Sequence, residues 1–279
     1  MGTLTRRAVL LAPASAWTAR AITVGSHTDA HPIPEIRAAL DRMYNFDFPG
    51  AHRKLDAFIA ANPTQPLGHS FRAAAYLFTE LDRLRILESE FLSDDEQIRA
   101  DNKLSANPQT RAAFEAAISA SRKLAEQRGP GDTSSLFALC IGAGLTSDYI
   151  GLVEKSRIGS LPYAKDSQIY ALQLMREDPG FVDAKLTSGI SEYLIGSLPF
   201  FVKWFVRLPQ VEGDKNKAVA NLMSVAAGGH YLGPFARILL AIVHLLEKRP
   251  AESRQMLEGL VRDYPENPLL RKELAKLTK

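Results

Sequence analysis

From Pro34 to the C-terminus, apolar residues recur at spacings of three and four, and Asn-Pro, Asp-Pro and Gly clusters fall between the runs. That period is one face of an α-helix, and the punctuation marks helix ends. No convincing stretch alternates apolar and polar residues as a half-buried strand would. The chain is therefore expected to be all-α. Short turns between helices of eleven or more residues make sequential helices antiparallel neighbours.

The spacing predicts a first helix over Pro34 to Tyr44, with Ile36, Leu40 and Met43 on one face, and a second over Phe48 to Ala61, ended by Asn62-Pro63. A third starts near Leu67 and runs through a charged stretch to about Phe91. Asn107-Pro108 is a strong start, because Asn caps and Pro suits the first helical position. The helix it opens runs to Gln127. Gly129-Pro130-Gly131 breaks the chain, and Asp132 or Thr133 caps the next helix, over about 134–150. Others follow at Tyr163 to Arg176 and, after Asp178-Pro179, at 181–196. Asp214 caps a helix that Gly228-Gly229 stops. Pro234–Glu247 and Pro250–Asp263 form a closing hairpin, and Asn267-Pro268 opens a last short helix.

Composition adds exclusions. The 279 residues are 46% hydrophobic and 23% charged, which is globular rather than disordered. The net charge of +3 is spread without a basic block, which argues against a nucleic-acid partner. The single cysteine, Cys140, lies in the apolar run Leu136–Ile141 and forms neither an internal disulfide nor a cysteine-based zinc site. It reads as a small buried side chain.

The N-terminus has the three-part layout of a secretory signal: Arg6-Arg7, an apolar run from Ala8 to Trp17, and a small-x-small site at Ala19-Arg20-Ala21. Thr5-Arg6-Arg7-Ala8-Val9-Leu10 also resembles a twin-arginine export motif, although Leu11 stands where Lys is common. The run is shorter than the ~20 residues of a spanning helix, and no transmembrane helix is expected in the mature chain. Residues 1–21 are thus expected to be a signal peptide, 22–33 a flexible lead-in, and 34–279 the folded domain. Export to the periplasm or outside the cell follows, with the cytoplasm as the alternative.

Three stretches resemble the tetratricopeptide-repeat (TPR) family, in which a small residue of one helix meets a small residue of the next and a Pro closes the unit. In Pro32–Pro63 the matching residues are Ala39, then Ala51, Leu55 and Phe58, with Pro63 closing. In Pro234–Pro265 they are Leu240 and Ala241, then Ser253, Leu257 and Leu260, with Pro265. The stretch from Ala164 to Pro179 resembles a second TPR helix with its terminator. From Asn107 onward the chain is similar to exported bacterial TPR-like proteins, and Gly189 to Asp214 resembles a eukaryotic TPR-containing family implicated in clearing inclusion bodies. The resemblance implies an α-α superhelix of TPR-like antiparallel helix pairs with a concave binding groove, and no catalytic activity.

The segment Ile190–Pro209 breaks the repeat rhythm. It is the most apolar and aromatic stretch, and Pro199 kinks or restarts a helix there. It reads as a core helix between repeat blocks, or as an apolar ridge for a partner or a membrane surface, with Lys203 and Arg207 at lipid head groups. The motifs HExxH, GxSxG, GxGxxG and the Walker loop are absent. His27 and His31 lie in the lead-in, and the acidic residues Glu88, Glu90, Asp94 and Asp95 read as a solvated face. No cofactor and no metal are expected. The functional expectation is a non-enzymatic scaffold in the cell envelope that binds a protein or peptide. Tyr44, Tyr76 and His244 are its groove candidates, and Tyr193 and Trp204 mark the aromatic segment. The alternative is a periplasmic protein that binds a lipid or small apolar ligand with residues 193–206.

Overall fold

The computed structural model describes residues 32–87, 105–129, 131–197 and 208–278. The expected signal peptide, most of the lead-in, Trp204 and the acidic residues from Glu88 to Asp95 lie outside the described residues.

Eleven α-helices and no strand make up the described chain. They are α1 (Pro34–Tyr44), α2 (Phe48–Ala61), α3 (Pro66–Arg83), α4 (Pro108–Arg128), α5 (Thr133–Asp148), α6 (Arg157–Glu177), α7 (Lys185–Ser197), α8 (Lys215–Gly228), α9 (Gly233–Leu246), α10 (Pro250–Asp263) and α11 (Pro268–Lys276). A π-turn, Tyr149–Val153, follows α5, and a 3-10 turn, Val182–Ala184, precedes α7. Each helix packs on the next in the chain, and α3 also packs on α5. The expected caps are in place. Asn107 accepts from the N–H groups of Gln109 and Thr110, Asp132 from Ser135, Asp214 from Asn216 and Lys217, and Asn267 from Leu269 and Leu270. Each satisfies donors that a helix start leaves without an intrahelical partner.

The two hairpins that carry the TPR-like pattern bury their small residues, Ala39, Ala51, Ala241 and Ser253, where the paired helices meet. They also share a turn. Asp47 N–H donates to the Arg42 carbonyl and Phe46 N–H to that of Met43. At the other hairpin Arg249 N–H donates to His244 and Lys248 N–H to Leu245. This is the Schellman closure, which needs a left-handed residue just past the helix. Phe46 (φ 63°) and Lys248 (φ 59°) occupy that place without being glycine.

The same closure corrects the reading of the third helix. It ends at Arg83, not near Phe91. Arg85 (φ 57°) takes the left-handed position, Ile86 N–H donates to the Leu81 carbonyl, and Leu84 and Ile86 turn into the core. A glycine accepts this conformation without the Cβ cost. Arg85→Gly and Lys248→Gly are each expected to raise stability by about 0.5–1 kcal/mol, read as a higher urea midpoint at constant slope.

A second correction concerns α6. It begins at Arg157 rather than Tyr163 and carries Pro162 internally. So near the helix start, the proline ring removes one backbone bond and leaves the rest of the first turns intact. Ser160 N–H donates to the Ser156 carbonyl there.

Helix α5 is apolar on all sides, the pattern of a helix buried in a core. Thr133–Val153 is long and apolar enough to cross a membrane by length and composition. In this fold that helix packs against α3, α4 and α6. Gly144 permits the approach to α6, since a Cβ there would lie 3.3 Å from Ser167 Oγ.

Candidate functional site

The two ends of the helical array meet. Ile33 N–H donates to the Tyr231 hydroxyl (2.9 Å), and the Tyr44 hydroxyl donates to the Tyr231 carbonyl (3.2 Å). Asn267 Nδ2 donates to the Tyr44 carbonyl (2.7 Å) and Glu266 N–H to Asn45 Oδ1 (3.1 Å). Ile33, the last residue of the expected lead-in, is therefore tied to the fold.

Side chains fill the space between the ends. Tyr231 lies 5.5 Å from Phe71 and 5.7 Å from Phe137, ring centre to ring centre, and Phe78 meets Phe235 edge-on at 5.7 Å. Such aromatic pairs add about 0.5–1.5 kcal/mol each beyond the area they bury.

Two buried carboxylates hold the loops that shape this interior. Asp183 accepts from three consecutive N–H groups, those of His230, Tyr231 and Leu232, at 2.7–3.1 Å. Glu192 does the same for Glu212, Gly213 and Asp214, with Lys217 Nζ 2.6 Å from its other oxygen. Glu192 reaches this loop because the loop lies on the backbone of α7. A Cβ on Gly196 would come within 2.7 Å of the Gly213 carbonyl, and Gly213 itself is left-handed (φ 78°). Burial pushes the Asp183 carboxyl up, against the opposing pull of its three N–H donors. Burial also raises the Glu192 carboxyl, but Lys217 and the N–H groups of Asp214 and Gly213 outweigh it and hold the group below its ordinary range.

Among these elements is a partly open cavity of about 100 Å³. Leu40, Met43 and Tyr44 of α1 contribute to it, with Phe71, Ala74 and Phe78 of α3. Helix α5 supplies Phe137, Cys140 and Asp148, α7 supplies Leu186, Thr187 and Ile190, and Phe235 comes from α9. The described lining holds two carboxylates, Asp148 and Asp183, and no Lys, Arg or His. Cys140 lies 3.3 Å from Thr187 Oγ1, and burial pushes its thiol up, away from the reactive thiolate.

Asp148 differs from the other buried acids. It is the last residue of α5, immediately before the π-turn, a distortion frequent at functional sites. It is exposed to solvent and borders the cavity. No hydrogen bond or ion pair to another described residue engages it. Desolvation raises its carboxyl to about 6. A carboxyl raised in the folded state costs stability once the unfolded chain ionises, so the penalty builds from the ordinary value of 3.8 up to about 6 and is complete above that. Asp148→Asn is therefore expected to be more stable than the native chain at pH 8 and equal to it at pH 4, compared by urea unfolding.

The predicted site residues are scattered. Tyr44 alone lines the cavity. It is 7% exposed with its hydroxyl already engaged, and burial keeps that hydroxyl protonated well past its ordinary range. Tyr76 sits on the α2–α3 seam, 4.3 Å from the His52 ring, with the Arg72 guanidinium above it. His244 is buried in the last turn of α9. Tyr193 is buried with its hydroxyl on Glu247 Oε1 (3.2 Å) and Lys215 over its ring. Tyr44, His244 and Tyr193 are all buried by neighbouring elements, and of the three only Tyr44 borders the cavity. Trp204 lies outside the described residues. Asp148, Asp183 and Glu192 were missed. The one local signal for Asp148 is that it is the first charge after a fifteen-residue uncharged run.

Compared with known proteins, the chain matches no family model and no curated protein.

Proposed function

We propose that this chain is a non-enzymatic, TPR-like binding protein of the cell envelope that holds a small, mainly apolar group in the cavity between its inner helices. The observation that supports this reading is the cavity itself: an apolar, aromatic-walled space with one unpaired carboxylate at its edge. Phe71, Phe137 and Tyr231 pack on one another between the helices, which favours a small guest over a peptide as the ligand. The described lining carries no His, Lys or Arg, and burial holds its thiol protonated.

A dry cavity of roughly 150 Å³ takes benzene, so one of 100 Å³ takes a group of about four heavy atoms. The ligand is thus a compact apolar end of a larger molecule. Calorimetry with 3,3-dimethyl-1-butanol, a neutral tert-butyl probe, tests this. The native chain is expected to bind it, and Ala74→Leu, which fills the cavity from α3, to lose at least tenfold in affinity while keeping its melting temperature. Equal binding by both chains would place the ligand elsewhere.

A further inference from the structure

We propose that the group this cavity receives is a quaternary ammonium, with Asp148 as its counter-ion and the rings of Tyr44, Phe71, Phe78, Phe137 and Phe235 as its walls. The inference rests on the small-ligand reading and names the chemistry of that same site.

Charge decides against an anion. The described lining has carboxylates at Asp148 and Asp183 and no cationic side chain. Asp183 is committed to three backbone N–H groups, so Asp148 is the carboxylate left to face a ligand. Among the other titratable lining groups, the Cys140 thiol and the Tyr44 hydroxyl are both kept neutral by burial. Among the described lining residues, Asp148 is therefore the charge available to a guest at pH 7 and above.

The walls decide between kinds of cation. A primary ammonium needs about three hydrogen-bond acceptors. The lining is mostly apolar, and its hydroxyls are few: that of Ser167 donates to the Cys140 carbonyl (2.9 Å) and that of Tyr44 to Tyr231, beside Thr187. A quaternary ammonium donates no hydrogen bond and is attracted to aromatic faces, the arrangement of aromatic cages. A trimethylammonium head has four heavy atoms, which is the size of about four that the volume admits.

The test compares choline with 3,3-dimethyl-1-butanol, its carbon analogue of the same shape, by calorimetry on the full chain. Choline is expected to bind at least tenfold more tightly at pH 8. Its affinity should fall about tenfold from pH 8 to pH 5, because only about a tenth of a carboxyl with a value near 6 is ionised there. Asp148→Asn is expected to bind the neutral analogue as the native chain does and to lose the preference for choline. Equal affinity for the two probes, or a choline preference that survives in Asp148→Asn, would overturn the ammonium assignment and leave the cavity reading standing. Binding of neither probe would overturn both.

Discussion

Glu192→Ala is expected to lower the stability of the fold by about 3–5 kcal/mol. The carboxylate is 1% exposed and is the acceptor for three successive N–H groups and one ammonium. Each buried donor left without a partner costs about 1–3 kcal/mol, and a charged acceptor makes the stronger kind of bond. The loss is a large part of the ~5–15 kcal/mol that holds a typical domain together. Chemical denaturation should show a much lower midpoint with an unchanged slope. Glu192→Gln keeps an accepting oxygen and should fall between the two. The pH dependence has a definite sign. A carboxyl held below its ordinary value of 4.5 adds stability above that value and loses it as the pH falls through the folded value. The advantage of the native chain over Glu192→Gln should therefore shrink on acidification below pH 4.5. A constant gap would mean that the N–H groups find other partners.

Asp183→Ala should have a comparable effect, about 3–5 kcal/mol, for the same physical reason at a different loop. It strips the acceptors from His230, Tyr231 and Leu232, and Tyr231 is the residue on which the two ends of the array converge. The mutation is thus expected to reach beyond stability. Leu232 and Asp183 both border the cavity, so binding of the neutral tert-butyl probe should weaken together with the melting temperature. Asp183→Asn retains one accepting oxygen and should lose about half as much. If Asp183→Ala unfolded at the native midpoint, the loop would be held by its aromatic contacts alone.

Much of the helical layout is legible in the sequence because its ends are marked by local chemistry. Asn107, Asp132, Asp214 and Asn267 act as caps from their own side chains, and α1, α2 and α10 run between the expected residues. Where the chain departs from the expectation, the local signal is missing or misleading. Arg85 closes α3 in a conformation that glycine normally announces, and Pro162 sits in a helix near its start, where its cost is small. The site is less legible, since burial is a property of the whole array. Tyr44, Tyr193 and His244 have the look of contact residues, and helices distant in sequence cover them. Asp183 and Glu192 read as ordinary surface charges because the N–H groups they hold are 20 to 49 residues further along the chain. Asp148 acquires its raised carboxyl from the elements folded around it.

The central claim is that the helical array encloses a cavity able to take a small guest. Methyl-resolved NMR of the full chain, titrated with 3,3-dimethyl-1-butanol, tests it most directly. The account predicts saturable shifts at the methyls of Leu40, Leu186 and Ile190, which border the cavity from α1 and α7. Shifts confined to outward-facing Leu194 and Met223, with the cavity methyls unmoved, would contradict it.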